Sequence, residues 1–198
     1  PEKIQSASAP STRIAVCVPT YNNAATIGDV VSGVLEHCGN VIVVDDGSTD
    51  ATYHTLSGFS AVTVIRFTKN RGKGEALRAA FEQAAAMGFT HAVTIDGDGQ
   101  HLTQDLSLFI DCIERDPQAL WIGNRVLPTQ GAPPPARSRF GRRFGNFWYR
   151  FNTGISLSDT QCGYRAYPLT AIRGLHLKGE RYEYEQDALI KAAWNGIA

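Results

Sequence analysis

Short apolar, β-branched runs alternate along this chain with stripes of helical period, and that alternation leaves few folds open. Runs at Arg13 to Val18, Val41 to Val44, Val62 to Phe67 and His91 to Ile95, with a shorter one at Leu120 to Gly123, read as parallel core strands. Between them Ile27, Val30, Val31, Val34 and Leu35 recur at helical spacing, as do Ala76, Leu77, Ala80, Phe81 and Ala84, and then Leu106, Phe109, Ile110 and Ile113. The β-α-β-α order predicts an α/β, doubly wound, mainly parallel sheet with helices on both faces. Ligands bind such sheets beyond the carboxyl ends of the strands. A polar cluster follows each of the first four runs: PTYNN from Pro19, DDGSTD from Asp45, KNRGKGEA from Lys69 and DGDGQH from Asp96. The topology therefore gathers all four along one edge.

DGDGQH is the most pointed of these clusters. Asp96 and Asp98, two residues apart at a strand's end, can share one hard divalent cation, because Mg²⁺ or Mn²⁺ takes oxygen ligands and leaves positions for substrate phosphates. Asp-Gly-Asp-Gly is equally good turn chemistry. A helix-loop-helix calcium site is excluded, since the positions that need Asx, Gly and Glu hold Gln100, His101 and Ser107. In KNRGKGEA the glycines allow close backbone approach and Lys73 can meet anionic oxygen, but the spacing is not that of a Walker loop. No G-x-G-x-x-G follows the first run, which argues against a dinucleotide-binding oxidoreductase. Asp50 suits a helix cap, whereas the adjacent acids Asp45 and Asp46 exceed what capping needs, and one of them is placed to accept from a base or ribose.

At 198 residues and 43% hydrophobic, the chain is sized for one α/β domain, expected over residues 13–198 after a flexible segment at 1–12. No apolar stretch approaches a spanning helix, and PEKIQSASAP lacks the apolar core of a signal peptide, so a soluble, cytoplasmic chain is expected. Position 1 is not Met and AAWNGIA stops in mid-pattern, from which a domain truncated at its C-terminus is expected. Cys17, Cys38, Cys112 and Cys162 show no metal-ligand spacing and sit in or beside apolar runs, so reduced structural thiols are predicted.

PTYNN, VIVVDDGSTD, NRGKGEA and DGDGQH, followed by GNR at Gly123 to Arg125, SRFGRRFGN from Ser138 and DTQCGYR from Asp159, together resemble the family-2 inverting glycosyltransferases of the GT-A fold. The resemblance is nearest to the polyprenyl-phosphate sugar transferases of the dolichyl-phosphate mannose synthase type, and it runs from about Ile14 to Asp187. It implies that Pro19, Tyr21 and Asp46 hold the base and ribose of a UDP- or GDP-sugar, with Val44 and Lys73 nearby. It further implies that Asp96, Asp98 and Gln100 bind the metal, that Gly97 lies against the donor, and that Arg125 faces the diphosphate or the acceptor phosphate. The family usually has Glu after the Tyr-Asn pair of its first cluster, where this chain has Asn23.

From Pro117 to Ser158 there is no acidic residue, while Arg125, Arg137, Arg139, Arg142, Arg143 and Arg150 give +6, so the neutrality of the whole chain hides a basic segment. Within it Phe140, Phe144, Phe147, Trp148 and Phe151 fall on one helical face with Arg139, Arg143 and Arg150 along its flank. Such a stripe is either core packing or an interfacial helix with its arginines against lipid phosphate, and a lipid-phosphate acceptor favours the second, a peripheral membrane contact through 137–151 at the inner face of a membrane. Nucleic acid is not an expected partner, given the neutral total and the acidic edge. A polyprenyl phosphate attacks already ionised and needs only orientation, for which Arg125, Arg139 and Arg165 are candidates. A hydroxyl acceptor needs a base, to be sought among Asp159, Glu183, Glu185 and Asp187. A sugar-phosphate nucleotidyltransferase would open with a glycine-rich loop, which PTYNN is not, and a non-catalytic binding module would have no need of the paired aspartates.

Overall fold

The first strand, β1 (Ile14–Thr20), divides its side chains between two cores in the period of two that a pleated strand imposes. Ala15 and Cys17 pack on one face of the sheet, Val16 and Val18 on the other. In the computed structural model, which describes residues 12–125, 136–181 and 183–197, β1 is central. It pairs in parallel with β2 (Val41–Asp45) on one side and β4 (His91–Thr94) on the other, and β3 (Val62–Arg66) extends the sheet beyond β2. The expected flexible segment lies almost wholly outside the described residues.

One face of the sheet carries α3 (Lys73–Ala86), α6 (Leu169–Gly174) and α7 (Glu183–Trp194), whose Leu77, Phe81, Ile172, Tyr184 and Ala188 cover Ala15, Cys17, Ile42 and Val44. The other carries α1 (Ile27–Leu35), α4 (Leu106–Arg115) and the short α2 (Thr52–Leu56), through Ile27, Val31, Val34, Leu56, Leu106 and Ile113. Each of the predicted apolar stripes is thus a buried helix face. Cys17, fully enclosed, has its thiol pushed up to about 12 by burial, and all four cysteines are free, as expected for structural thiols.

One expectation about the sheet is corrected. The run at Leu120 to Gly123 is not a parallel core strand: only Trp121–Ile122 is extended (β5), and it pairs antiparallel with β6 (Arg165–Pro168), which inserts between β4 and β5. β6 has the sequence RAYP, with no β-branched residue to announce it, and its pairing with β4 through Val93↔Ala166 and Thr94↔Arg165 comes from tertiary placement.

Because β2 and β4 leave β1 in opposite directions, the chain reverses its winding between β1 and β4, and the crevice of a doubly wound sheet opens at their carboxyl ends. Two further elements border that end. Helix α5 (Ala136–Thr153) packs against α7 and is tied to the segment before β6 through Asn146, whose Oδ1 accepts from Thr160 N–H and whose Nδ2 donates to Ser158 O. The segment before α7 lies on the start of α3, where Gly74 N–H donates to Glu180 O.

Candidate donor and metal site

A cavity of about 590 Å³ opens at the carboxyl ends of β1 and β4, within the range of small-molecule sites, and all four polar clusters reach it. Pro19, Thr20 and Tyr21 come from the end of β1, Asp46 from β2, Asn70, Gly72 and Lys73 from the start of α3, and Asp96, Gly97 and Asp98 from the end of β4. Val44 does not reach it: its side chain is fully buried under α3.

Asp46 does more than line the wall. Its two carboxylate oxygens accept from the backbone N–H groups of Arg71 and Gly72, at 2.6 and 2.8 Å, so it fixes the loop that presents Lys73. Gly72 sits at φ 99° under Glu180, a conformation and a clearance only glycine meets. Asp45 instead turns from the cavity, accepting from Ser48 N–H and facing Arg66 Nε at 3.3 Å. Asp50 precedes the N-cap of α2, which is Ala51, and hydrogen bonds from the Thr52 hydroxyl and N–H hold its carboxyl below the usual range.

Asp96 is the hub of the charged groups. Lys73 Nζ donates to Asp96 Oδ1 at 2.7 Å and to Glu185 Oε2, from α7, at 3.0 Å. Burial alone would depress the lysine, but the carboxylates of Glu185 and Asp96 outweigh it and raise its pKa, so the ammonium stays charged. His101 Nε2 stands 3.8 Å from Asp96 Oδ2, with its ring edge-on to Tyr164. Burial holds this imidazole below its usual value against the pull of Asp96 and Asp98, which keeps it neutral at pH 7. Gly163 backs the pair: a Cβ there would collide with the Asp96 carboxylate and come within 2.8 Å of Lys73 Nζ.

Asp98 Oδ1 accepts from Gln100 N–H at 3.0 Å. The Gln100 side chain itself is exposed. Among the described residues no three His, Cys, Asp or Glu side chains form a metal cage. Two carboxylates on a wall of backbone and glycine fit a hard cation whose remaining ligands are water and diphosphate oxygens, the usual state of Mg²⁺.

The arginines sort differently from the expectation. Arg125 Nε and Nη2 both donate to Asp159, at 2.7 and 3.1 Å, which spends two of five donors, and the side chain is 39% exposed. Arg165 is corrected: it is fully buried, its Nε, Nη1 and Nη2 donating to the carbonyls of Cys162, Glu185 and Thr160, and no acceptor can reach it. The side chains of Arg137, Arg139 and Phe140 lie outside those described. Two residues that no motif assigned stand at the site, Arg181 in the cavity wall and His101 beside Asp96. His101 ended a quoted motif and could have been weighed as a ligand. Arg181 had no signal, since only the packing of its loop on α3 brings it there.

The stripe on α5 faces outward. Phe144, Phe147, Trp148 and Phe151 are 44 to 72% exposed, Tyr149 packs inward, and Trp194 of α7, also exposed, donates to Asn152 O beside them. The core-packing alternative fails for these side chains.

A model of glycosyl transferase family 2 matches residues 15–174. A UDP-N-acetylglucosamine–dolichyl-phosphate N-acetylglucosaminyltransferase of Methanococcus voltae is 30% identical over 204 residues, covering 93% of this chain and 81% of that protein. The polyprenol monophosphomannose synthase of Mycolicibacterium smegmatis is also 30% identical, over 96% of this chain and 75% of its own length. Among solved structures, a glucosyl-3-phosphoglycerate synthase from Mycobacterium tuberculosis in complex with Mn²⁺, UDP-glucose and phosphoglyceric acid superposes with a TM-score of 0.72 at 21% identity, so the fold is shared. The match covers 94% of this chain but 66% of that one, so the chain spans about two thirds of that solved relative's length.

Proposed function

Because the chain belongs to glycosyl transferase family 2 and has its GT-A fold, we propose that it transfers a sugar from a nucleoside diphosphate to a polyprenyl phosphate, inverting the anomeric centre, within one domain beginning at residue 13. The donor's base and ribose lie along Pro19, Tyr21 and Asp46, and its diphosphate lies toward Lys73, Gly97, Asp96 and Asp98. Asp96 and Asp98 would hold Mg²⁺ or Mn²⁺, which would supply Lewis-acid stabilisation of the charge developing on the leaving diphosphate. Lys73 adds a positive charge to the same region, and Asp46 keeps the backbone of the lysine's loop in place.

The observation that favours a phosphate acceptor is the state of the four candidate bases. Asp159 is bound by Arg125 and by Gln161 N–H. Asp187 is bound by Lys191 and Lys178 N–H, and Glu185 by Lys73. Glu183 is exposed, and backbone hydrogen bonds hold its carboxyl below the usual range, which makes it a poor base. A hydroxyl acceptor would find every one committed or weakened, whereas an ionised phosphate oxygen needs only to be oriented. Arg125, steadied by Asp159, and Arg139 supply that orientation.

The test offers UDP- and GDP-sugars with Mn²⁺ to a short polyprenyl phosphate and to the matching polyprenol. One donor should glycosylate the phosphate at least about 10²-fold faster than the alcohol, a difference of about 3 kcal/mol in transition-state stabilisation. Equal rates, or no product with any donor, overturn the reading.

The exposed face of α5, with Arg143 and Arg150 along its flank and Trp194 beside it, rests in the headgroup boundary at the inner face of a membrane, where the acceptor's phosphate is presented. No helix among the described residues is long and apolar enough to cross. Replacing Phe147 and Phe151 with Ser should weaken sedimentation with anionic vesicles at least about tenfold, since each buried ring is worth roughly 1.5–3 kcal/mol. Unchanged binding would remove this helix from the contact.

A further inference from the structure

The ammonium of Lys73 already occupies one oxygen of the Asp96 carboxylate. It is 2.7 Å from Oδ1, while Oδ2 lies against Gly163 and 3.8 Å from His101 Nε2. Its second partner is unusual. The Glu185 side chain is 7% exposed, yet only Oε2 is engaged, by Lys73, while Oε1 has no hydrogen-bond partner and meets only Arg165 Nε at 3.9 Å. A buried carboxylate with one orphaned oxygen has room for more of an ammonium that carries three donors.

We propose that in the nucleotide-free protein Lys73 occupies the part of Asp96 that a divalent cation needs, and that Glu185 is the seat to which it withdraws, so that the cation enters together with the diphosphate. Asp96 and Glu185 pair with Lys73 and Arg165, two negative groups against two positive ones within one largely enclosed cluster. A divalent cation arriving alone turns that balance into an excess of positive charge beside the ammonium. Arriving with a diphosphate it brings its own counter-charge, and Lys73 gains a second anion to face while keeping Glu185. Lys73 and Glu185 are in this sense positioning residues for the metal site, and the inference rests on the donor reading above.

Mn²⁺ alone is the probe, followed by electron paramagnetic resonance of the free ion, with thermal melting to confirm folding. Removing the ammonium in Lys73→Met should tighten Mn²⁺ binding about tenfold in the absence of nucleotide, and the gain should vanish when Asp98→Ala is added. Neutralising the seat in Glu185→Gln should shift Mn²⁺ affinity the other way, several-fold weaker, because the lysine then remains on Asp96. A lysine that merely holds the fold together would weaken the site when lost. Mn²⁺ affinity unchanged or weakened in Lys73→Met, or a tightening in Glu185→Gln, therefore overturns the proposal. No nucleotide is needed for these arms, so failure of the donor reading would appear in the transfer assay and leave this result legible.

Discussion

Replacing Asp98 with Ala is expected to lower sugar transfer about 10³-fold and to abolish Mn²⁺-dependent binding of the nucleotide, because a cation at a leaving diphosphate is worth several kcal/mol. Asp98 is the better of the two aspartates for this purpose. Asp96 is also tied to Lys73, so its loss disturbs Glu185 and the start of α3, whereas the Asp98 carboxylate accepts from Gln100 N–H in its own turn. Losing that local bond costs about 1 kcal/mol, which for a domain of this size moves the melting temperature only about 2–4 °C. Calorimetry with UDP and GDP, with and without Mn²⁺, alongside steady-state rates, separates chemistry from folding. A variant retaining transfer within tenfold would mean that the aspartates form only a turn.

Arg165→Met should act in the opposite way, through stability. The buried carbonyls of Cys162 and Glu185 lose their guanidinium donor, that of Thr160 keeps only Gln186 Nε2, and the Glu185 carboxylate loses its cationic neighbour on the β6 side. Breaking a buried charged network by removing one partner costs about 3–5 kcal/mol, which lowers the melting temperature by roughly 10 °C here. Arg165→Lys should recover little of it, since one ammonium cannot span three acceptors held in the plane of a guanidinium. Denaturant unfolding measures the loss. A stable variant with reduced transfer to the lipid acceptor would instead restore Arg165 as a candidate for orienting the acceptor phosphate.

That contrast marks how far the sequence could be read. Parallel strands buried on both faces announce themselves as continuous apolar runs, so β1, β2 and β4, and with them the edge where Pro19, Asp46, Lys73 and Asp96 meet, were legible from spacing alone. β6 was not, because RAYP has neither alternation nor β-branching, and once β6 is missed, DTQCGYR reads as an exposed polar loop. Asp159 as a base and Arg165 as an acceptor contact both presuppose accessible side chains, whereas the structure buries both. For the α5 aromatics the sequence left core packing and an interfacial face open, and only a lipid-phosphate acceptor favoured the second, while Trp194, which widens the same face, belongs to a helix whose register only tertiary packing fixes. Residues that act through backbone, as Asp46 does on Arg71 and Gly72, are hidden in principle: a carboxylate's partner atoms leave no trace in composition.

Gly163 shows a different kind of hidden information. Its backbone is not among the left-handed glycines of the chain, so no turn geometry asks for it, yet a methyl group there would strike Asp96 and press on Lys73. What the position contributes is empty volume. Every possible replacement at this codon therefore changes the same two charged atoms before it changes anything else. Drift at that single locus would be read by selection as a defect of turnover rather than of folding, although the residue has no side chain with which to touch a substrate.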